Sequence, residues 1–269
     1  MNSAHPSVPP LVPPLQQVER QCGEHGAYMA NVIDMSALGG QNIIGACPEC
    51  MAANKARRVQ EENQARAAAR DARVHNILGR SGIPSRFVDK TFANFHADNQ
   101  GQRLAVSVCK SFADSWAEAD GAASGSSLVL TGGPGTGKTH LACAIASAVA
   151  RQHLAVPWFG TVTQLLRHIK DTYRRDSDRS EQDAINDLVE PDLLIIDEIG
   201  VQTGSDHEKM LLFEVLNERY QSLRPTILIS NLSGSDLEGY IGQRIMDRFR
   251  ECGGVLAFDW TSHRGQRAA

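Results

Sequence analysis

An α/β fold built on a parallel sheet with helices on both faces is the class this sequence predicts, and three observations carry the prediction. Beyond residue 85, short apolar runs alternate with longer helical stretches, the pattern of strand–helix–strand units whose strands are buried on both sides. The first of those runs passes directly into a glycine-rich turn, TGGPGTGKT (131–139), and then into a helix-forming stretch. Apolar residues make up 42% of the 269-residue chain and charged residues 22%, enough for one large domain with a sizeable core and a smaller appendage.

Strands are expected at SLVLTG (127–132), VPWFGT (156–161), DLLIID (192–197), PTILIS (225–230) and VLAFDW (255–260). Most contain β-branched or aromatic residues and have turn signals nearby. Helices are expected between them, at about 138–152, 162–175, 180–189, 207–223 and 236–251. Ahead of this domain, assigned to 85–269, the chain reads as three pieces. Residues 1–16 are Pro-rich, a tail expected to be disordered or extended. Residues 17–51 carry a Cys/His cluster. Residues 52–84 form a connector whose Ala, Arg and Glu content favours a helix over 52–80 but supplies no apolar stripe. The Gly and Pro of SGIP (81–84) end it.

The formal net charge is -4, so any nucleic-acid contact must rest on a local basic patch rather than on a global field. No apolar run approaches the roughly 18 residues needed to span a bilayer. The start, MNSAHPSVPPLVPPL, lacks a basic segment followed by an apolar core and does not read as a secretory signal. Six cysteines, three of them within 22–50 and three scattered, suit a reducing, cytoplasmic setting with one metal site better than a disulfide framework.

The turn at 131–139 has a definite chemical meaning. Gly132-x-x-x-x-Gly137-Lys138-Thr139, with Gly133, Pro134, Gly135 and Thr136 between, matches a phosphate-binding loop, and it lies after a strand and before a helix as that loop requires. Glycines let backbone N–H groups surround an anion, and the helix adds the positive end of its dipole. Lys138 is then expected to reach the β- and γ-phosphates of a nucleoside triphosphate, and the Thr139 hydroxyl to ligate Mg²⁺. The strand LLIID ends in Asp197 and Glu198, expected to orient the magnesium and to polarise the attacking water. Asn231 follows the strand expected beside the loop strand, where it reads either as a γ-phosphate contact or as an ordinary turn former. Arg244 and Arg248, four apart on one helical face, read either as a solvated basic face or as a finger offered to a neighbouring subunit. Spacing does not choose between them.

Cys22-x-x-His25 and, after 21 intervening residues, Cys47-x-x-Cys50 are two paired ligands in turn-like settings, the pattern of a closed structural Zn²⁺ site. The alternative is three thiols and an incidental histidine, His25 being the least diagnostic of the four. Cys109 and Cys143 fall in apolar helical contexts and are expected in the core.

Three stretches, RSGIPSRFVDKTFANF (80–95), VEPDLLIIDEIGVQ (189–202) and IGQRIMDRFRECGGVLAFDW (241–260), resemble the DnaC family of replicative helicase loaders, which are AAA+ ATPases, over about 80–264. The IstB-type transposition helpers share the same core. The resemblance implies ATP as the nucleotide, Asn231 as the sensor-1 residue, Arg248 as the arginine finger through which subunits self-associate, and Arg264 as sensor 2. Arg264 stands five residues from the end of the sequence, so no full carboxy-terminal lid is expected. The resemblance further implies that 161–180 is an inserted helical element contacting single-stranded DNA, with Arg167, Lys170, Arg174 and Arg175 as a basic stripe and Tyr173 to stack on a base. Asp171, Asp176 and Asp178 dilute that charge, and a solvated helix is the competing reading. The Cys/His module and the helix after it would grip the helicase by analogy of position. An ATP-dependent helicase loader is therefore expected. The alternatives are an IstB-like ATPase that binds target DNA, and a zinc-containing adaptor with a vestigial nucleotide switch.

Overall fold

The computed structural model describes residues 16–36, 39–117, 125–201 and 205–263, so the Pro-rich tail up to residue 15 and the sensor-2 candidate Arg264 lie outside the described residues. The chain divides into two compact units, residues 1–69 and 70–269. Among the described residues no helix is long and apolar enough to cross a membrane.

The first unit contains a small antiparallel sheet that the sequence pattern did not announce. Strand β1 (Gln16–Cys22) pairs with β2 (Gly26–Ile33) in a register that closes at Cys22 opposite Gly26, and β3 (Ile43–Ile44) adds to the end of β2. The sequence QQVERQC carries almost no apolar alternation because β1 is exposed along nearly its whole length. Only Ala30 of β2 is fully buried. Helix α1 (Pro48–Arg80) follows, starting four residues before the expected 52. Proline suits the first helical position, where its missing N–H has no partner to lose, and Glu49 lies in the first turn, where the dipole favours an anion. The absence of an apolar stripe is real, since Val74 is the one buried residue of the helix. From Arg70 on, α1 belongs to the second unit, within which Arg70 donates to the carbonyls of Arg151 and Gln152 at 2.9 and 2.8 Å.

The second unit is the expected α/β domain. Strands β4 (Ser127–Gly132), β5 (Pro157–Thr161), β6 (Leu193–Ile199), β7 (Thr226–Ser230) and β8 (Gly253–Phe258) form one parallel sheet in the order β5-β6-β7-β4-β8. Successive residues serve opposite faces. Leu128, Leu130, Leu193, Ile195, Ile227 and Ile229 join one core with α2 (Gln100–Asp114) and α3 (Lys138–His153). Val129, Leu194, Ile196 and Leu228 join the other, with α4 (Val162–Lys170), α5 (Glu181–Val189), α6 (Asp206–Gln221) and α8 (Gln243–Cys252). Cys109 and Cys143 are buried in the first core, as expected.

Three helix expectations are corrected. Helix α2 was anticipated only as the helical context of Cys109 and given no bounds, although Asn99 and Gln102 form a reciprocal capping box and Ala105, Cys109 and Phe112 supply its buried stripe. The helix expected over 162–175 stops at Lys170 and passes into a 3₁₀ turn at Asp171–Tyr173. The single helix expected over 236–251 is two, α7 (Gly234–Ile241) and α8, because Gly242 takes φ 88° and ψ 145°, outside the helical range.

One buried cation ties the sheet together at the amino-terminal ends of its strands. Arg219 of α6 is fully buried. It donates to Thr226 Oγ1 at 2.9 Å and to the carbonyls of Leu188, Val189, Pro191 and Pro225 at 3.0, 2.7, 2.9 and 2.6 Å. Those acceptors belong to the end of α5 and the starts of β6 and β7. Burial lowers the guanidinium pKa to about 9, so it stays charged at neutral pH. Arg219→Met leaves these acceptors buried and unpaired, and a loss of at least about 3 kcal/mol is expected. Arg219→Lys should recover part of it. Urea unfolding followed by the fluorescence of Trp116, Trp158 and Trp260, all in this unit, checks this, and a loss under about 1 kcal/mol would refute the clamp.

Candidate nucleotide site and candidate metal centre

Strand β4 is buried through Thr131 and ends at Gly132, where the chain turns sharply beside β8. Gly132 has φ 130°, and a Cβ there would lie 2.2 Å from the carbonyl oxygen of Phe258. Only glycine allows that approach. The loop then enters α3 at Lys138, a side chain only 5% exposed. Its Nζ donates to the carbonyls of Gly132 and Gly133, both at 2.7 Å. Thr136 Oγ1 donates to the Gly133 carbonyl at 2.8 Å.

Two strands away, β6 delivers the carboxylates. Thr139 Oγ1 donates to Asp197 Oδ2 at 2.9 Å. Burial pushes the Asp197 carboxyl up, while the Thr139 hydroxyl, the Glu198 N–H and the charge of Lys138 pull it back. Glu198 breaks the strand pattern. Its φ is 61°, a left-handed conformation uncommon for a non-glycine residue, and the pairing of β6 with β7 jumps register between Ile196 and Ile199. The bulge leaves Glu198 exposed at the strand end, next to the partly buried Asp197. Strand β7 lies between β4 and β6, and Ser230 Oγ donates to the Ile199 carbonyl at 2.7 Å, so Asn231 emerges beside the carboxylates.

These groups meet in one cleft of about 420 Å³, lined by Pro134, Gly135, Gly137, Lys138, Thr139, Asp197, Glu198 and Asn231. Its other wall is made of Pro84, Arg86, Phe87, Lys90, His140, Phe159 and Thr161. Sequence reasoning gave none of these wall residues a role. The segment RSGIPSRFVDK carried a resemblance, but only the fold brings it against the loop. His140 is fixed there: Nε2 donates to the Thr91 carbonyl at 2.9 Å and Phe95 meets the ring edge-on at 5.1 Å. Burial, first of all, lowers its pKa.

Arg248 is absent from this cleft's lining. It lies on α8, over the ring of Tyr220 at 4.5 Å and donating to Asn217 Oδ1. It shares a separate open cavity with Arg244, Asp247 and Glu251. The basic stripe is only partly continuous. Arg167 and Lys170 are on α4, whereas Tyr173 lies in the following turn and Arg174 and Arg175 beyond it. Lys170 pairs with Glu208 at 2.6 Å and Arg174 with Asp176 at 3.6 Å. The Tyr173 hydroxyl contacts Glu181 and His207.

In the first unit the four sequence-predicted ligands converge. Cys22 ends β1, His25 sits in the β1–β2 turn, Cys47 precedes α1 and Cys50 is in its first turn. Their donor atoms all lie within 4.8 Å of one another. Cys22 Sγ is 3.6 Å from His25 Nδ1 and 3.5 Å from Cys50 Sγ, and His25 Nδ1 is 3.7 and 3.3 Å from Cys47 Sγ and Cys50 Sγ. Zinc–sulfur and zinc–nitrogen bonds of about 2.3 and 2.0 Å in a tetrahedron set donor separations of about 3.5–3.8 Å. The donor set fits that ion. His25 Nε2 faces Glu49 at 3.6 Å, the outer carboxylate that orients a ligating imidazole. Backbone N–H groups of Glu24 and His25 lower the Cys22 thiol to about 6.

Comparison with known proteins agrees with this geometry. Residues 58–256 match the family described as IstB-like ATP binding protein. The replicative helicase loader DnaC of Escherichia coli (strain K12) is 34% identical over 213 residues, covering 77% of this chain and 84% of that protein. The loader of Buchnera aphidicola subsp. Acyrthosiphon pisum is 34% identical over 193 residues, 71% of this chain and 76% of that one. A crystal structure of the DnaC helicase loader superposes with TM-score 0.58 at 22% identity, covering 65% of this chain and 99% of that one. Glycine loop, paired carboxylates, Asn231 and Arg248 all fall inside the matched span, and the chain belongs to the DnaC-type helicase-loader family of IstB-like AAA+ ATP binding proteins.

Proposed function

We propose that the chain is an ATP-controlled loader that places a replicative DNA helicase on single-stranded DNA, with ATP binding and hydrolysis switching assembly and release. The observation that carries this reading is the meeting of Lys138, the Thr139–Asp197 pair, Glu198 and Asn231 in one cleft. Loop amides from Gly133 to Lys138 and the start of α3 receive the phosphates. Lys138 exchanges its two loop carbonyls for β- and γ-phosphate oxygens. Thr139 and Asp197 hold Mg²⁺, which when bound neutralises charge on those oxygens. Glu198 takes the proton of the attacking water as its oxygen bonds to the γ-phosphorus, and the β–γ bridging oxygen departs with ADP. Asn231 hydrogen-bonds the γ-phosphate.

Arg248 does not line the cleft of its own chain, which supports a role in completing the site of an adjoining protomer. Arg264 is assigned to nucleotide binding, as sensor 2, by family resemblance alone. Arg167, Lys170, Arg174 and Arg175 supply phosphate contacts to single-stranded DNA, and Tyr173 a stacking surface. Cys22, His25, Cys47 and Cys50 hold a structural Zn²⁺, and this module with the first part of α1 engages the helicase. The cysteine spacing, which suits one metal site better than a disulfide framework, supports a reducing, cytoplasmic setting. The match to the IstB-like ATP binding family keeps open the second reading that the resemblance implied, an ATPase that assists transposition by binding target DNA. A preference for duplex over single-stranded DNA would favour it.

Three outcomes test the proposal. Lys138→Ala should abolish MgATP binding in calorimetry while leaving the thermal transition in place, and retained binding would remove the assigned site. Arg248→Ala should keep nucleotide affinity yet lose turnover on single-stranded DNA by on the order of 10³-fold. Normal turnover in that variant would end the idea of a finger acting between protomers. Elemental analysis should find one zinc per chain, lost in Cys50→Ser. Chelation should then unfold residues 16–51, because such sites supply about 10–16 kcal/mol of apparent binding energy, without changing MgATP affinity.

A further inference from the structure

The P-loop is held from outside by a part of the chain far from it in sequence. Just past β8, Trp260 Nε1 donates to the Thr136 carbonyl at 2.9 Å, and the backbone N–H of His263 donates to the Gly135 carbonyl at 3.1 Å. Both acceptors belong to the glycine loop itself. The indole is in turn packed in place: its ring lies 4.8 Å from that of Phe258, and a Cβ on Gly101, at the start of α2, would sit 3.3 Å from two of its carbons. His263 is tied back by Gln102, a buried side chain whose Nε2 meets His263 Nε2 at 2.8 Å and whose Oε1 accepts from the Asp98 and Asn99 N–H groups.

A trans peptide is planar, and its C=O and N–H point in opposite directions. Drawing the Gly135 carbonyl outward therefore turns the Thr136 N–H inward, and drawing the Thr136 carbonyl outward does the same for the Gly137 N–H. Thr136 and Lys138 bond the carbonyls of Gly132 and Gly133, but the glycines themselves have no side chains to enforce that orientation at the later peptides, and their freedom is what an anion site must overcome. We propose that Trp260 is a positioning residue for the phosphate site, its indole N–H holding the Thr136–Gly137 peptide with the amide facing the cleft, with His263 performing the same task one peptide earlier. The inference rests on the ATP-binding reading above. It concerns the phosphates alone, since neither residue lines the cleft.

Trp260→Phe removes the indole N–H and keeps an aromatic ring against Phe258 and Gly101. The test compares wild-type and variant full-length chains in calorimetric titrations with MgATP and, separately, with inorganic tripolyphosphate, which carries no base. The variant should bind both about fivefold more weakly, as expected for one lost hydrogen bond. Its melting temperature should be unchanged, and amide exchange should be faster in 133–139 but not in β7. Equal affinities in the two proteins would overturn the inference. So would a loss confined to MgATP, or weaker binding accompanied by a lower melting temperature and faster exchange throughout the sheet, which marks a merely structural role. A wild-type chain that binds no MgATP sinks the ATP-binding reading itself. A wild-type chain that binds, beside a variant that binds equally well, sinks only the role of Trp260.

Discussion

Parallel pairing of β4, β7 and β6 is the constraint on which the candidate site depends. In-register pairs run from Leu128–Ile227 to Thr131–Ser230 on one side of β7, and from Leu194–Thr226 to Ile196–Leu228 on the other. The pairing brings the carboxyl ends of all three strands to one edge, and the glycine loop, the two carboxylates and Asn231 hang from that edge. A slip of one residue would turn every side chain of a strand to the opposite face. Here both faces are packed with apolar residues, so side-chain alternation alone discriminates weakly between registers. Arg219 adds a directional constraint at the far ends of the same strands, because its bonds to the backbone around Pro191 and Pro225 fix where β6 and β7 begin relative to one another.

The chemistry at that edge relies on polar groups held by partners they can exchange. Lys138 rests on two neutral carbonyls, and a charged phosphate oxygen makes the stronger, charge-assisted bond. Asp197 is partly desolvated, with the Thr139 hydroxyl against it, an arrangement in which a divalent cation gains more than it would from an exposed carboxylate. The left-handed backbone of Glu198 costs on the order of 1–3 kcal/mol. It coincides with the register jump in β6, and the two adjacent acidic residues, which an unbroken strand would send to opposite faces, both line the one cleft.

Much of this was legible in the sequence because the signals were local. The glycine loop is defined by eight consecutive residues between a strand and a helix, and all five strands of the parallel sheet announce themselves as apolar runs, including the largely unburied β8. The Cys/His spacing likewise identified four donors that the fold brings together. What escaped notice was either polar or distant. Strand β1 has no alternation to read, since neither of its faces is deeply buried. Helix α2 has a capping box and a buried stripe, but its Gly101 and scattered polar residues weaken the periodic signal. The break at Gly242 is encoded by a single residue, whose freedom to take positive φ competes with the helix formers that follow it, Gln243, Arg244 and Met246. The wall of Arg86, Phe87 and Lys90 is some 50 residues before the loop it faces, and no local pattern reports such a meeting.

The proposed DNA contact shows how a chain of net charge -4 can meet a polyanion without a global positive field. Of the stripe's four cations, Lys170 and Arg174 already have carboxylate partners, Glu208 and Asp176, while Arg167 and Arg175 are exposed. Such surface pairs are worth about 0–1 kcal/mol, so exchanging a carboxylate for a phosphate costs little. It also gains little, because the released carboxylate must take up a cation of its own. Neutralisation of the nucleic acid then falls chiefly to Arg167 and Arg175, a shallow electrostatic attraction that salt screens readily. Contacts of that strength favour occupancy when several protomers act together, since linked weak sites bind through effective concentration. A finger that completes only a neighbour's nucleotide site would make the same assembled state the one that hydrolyses ATP.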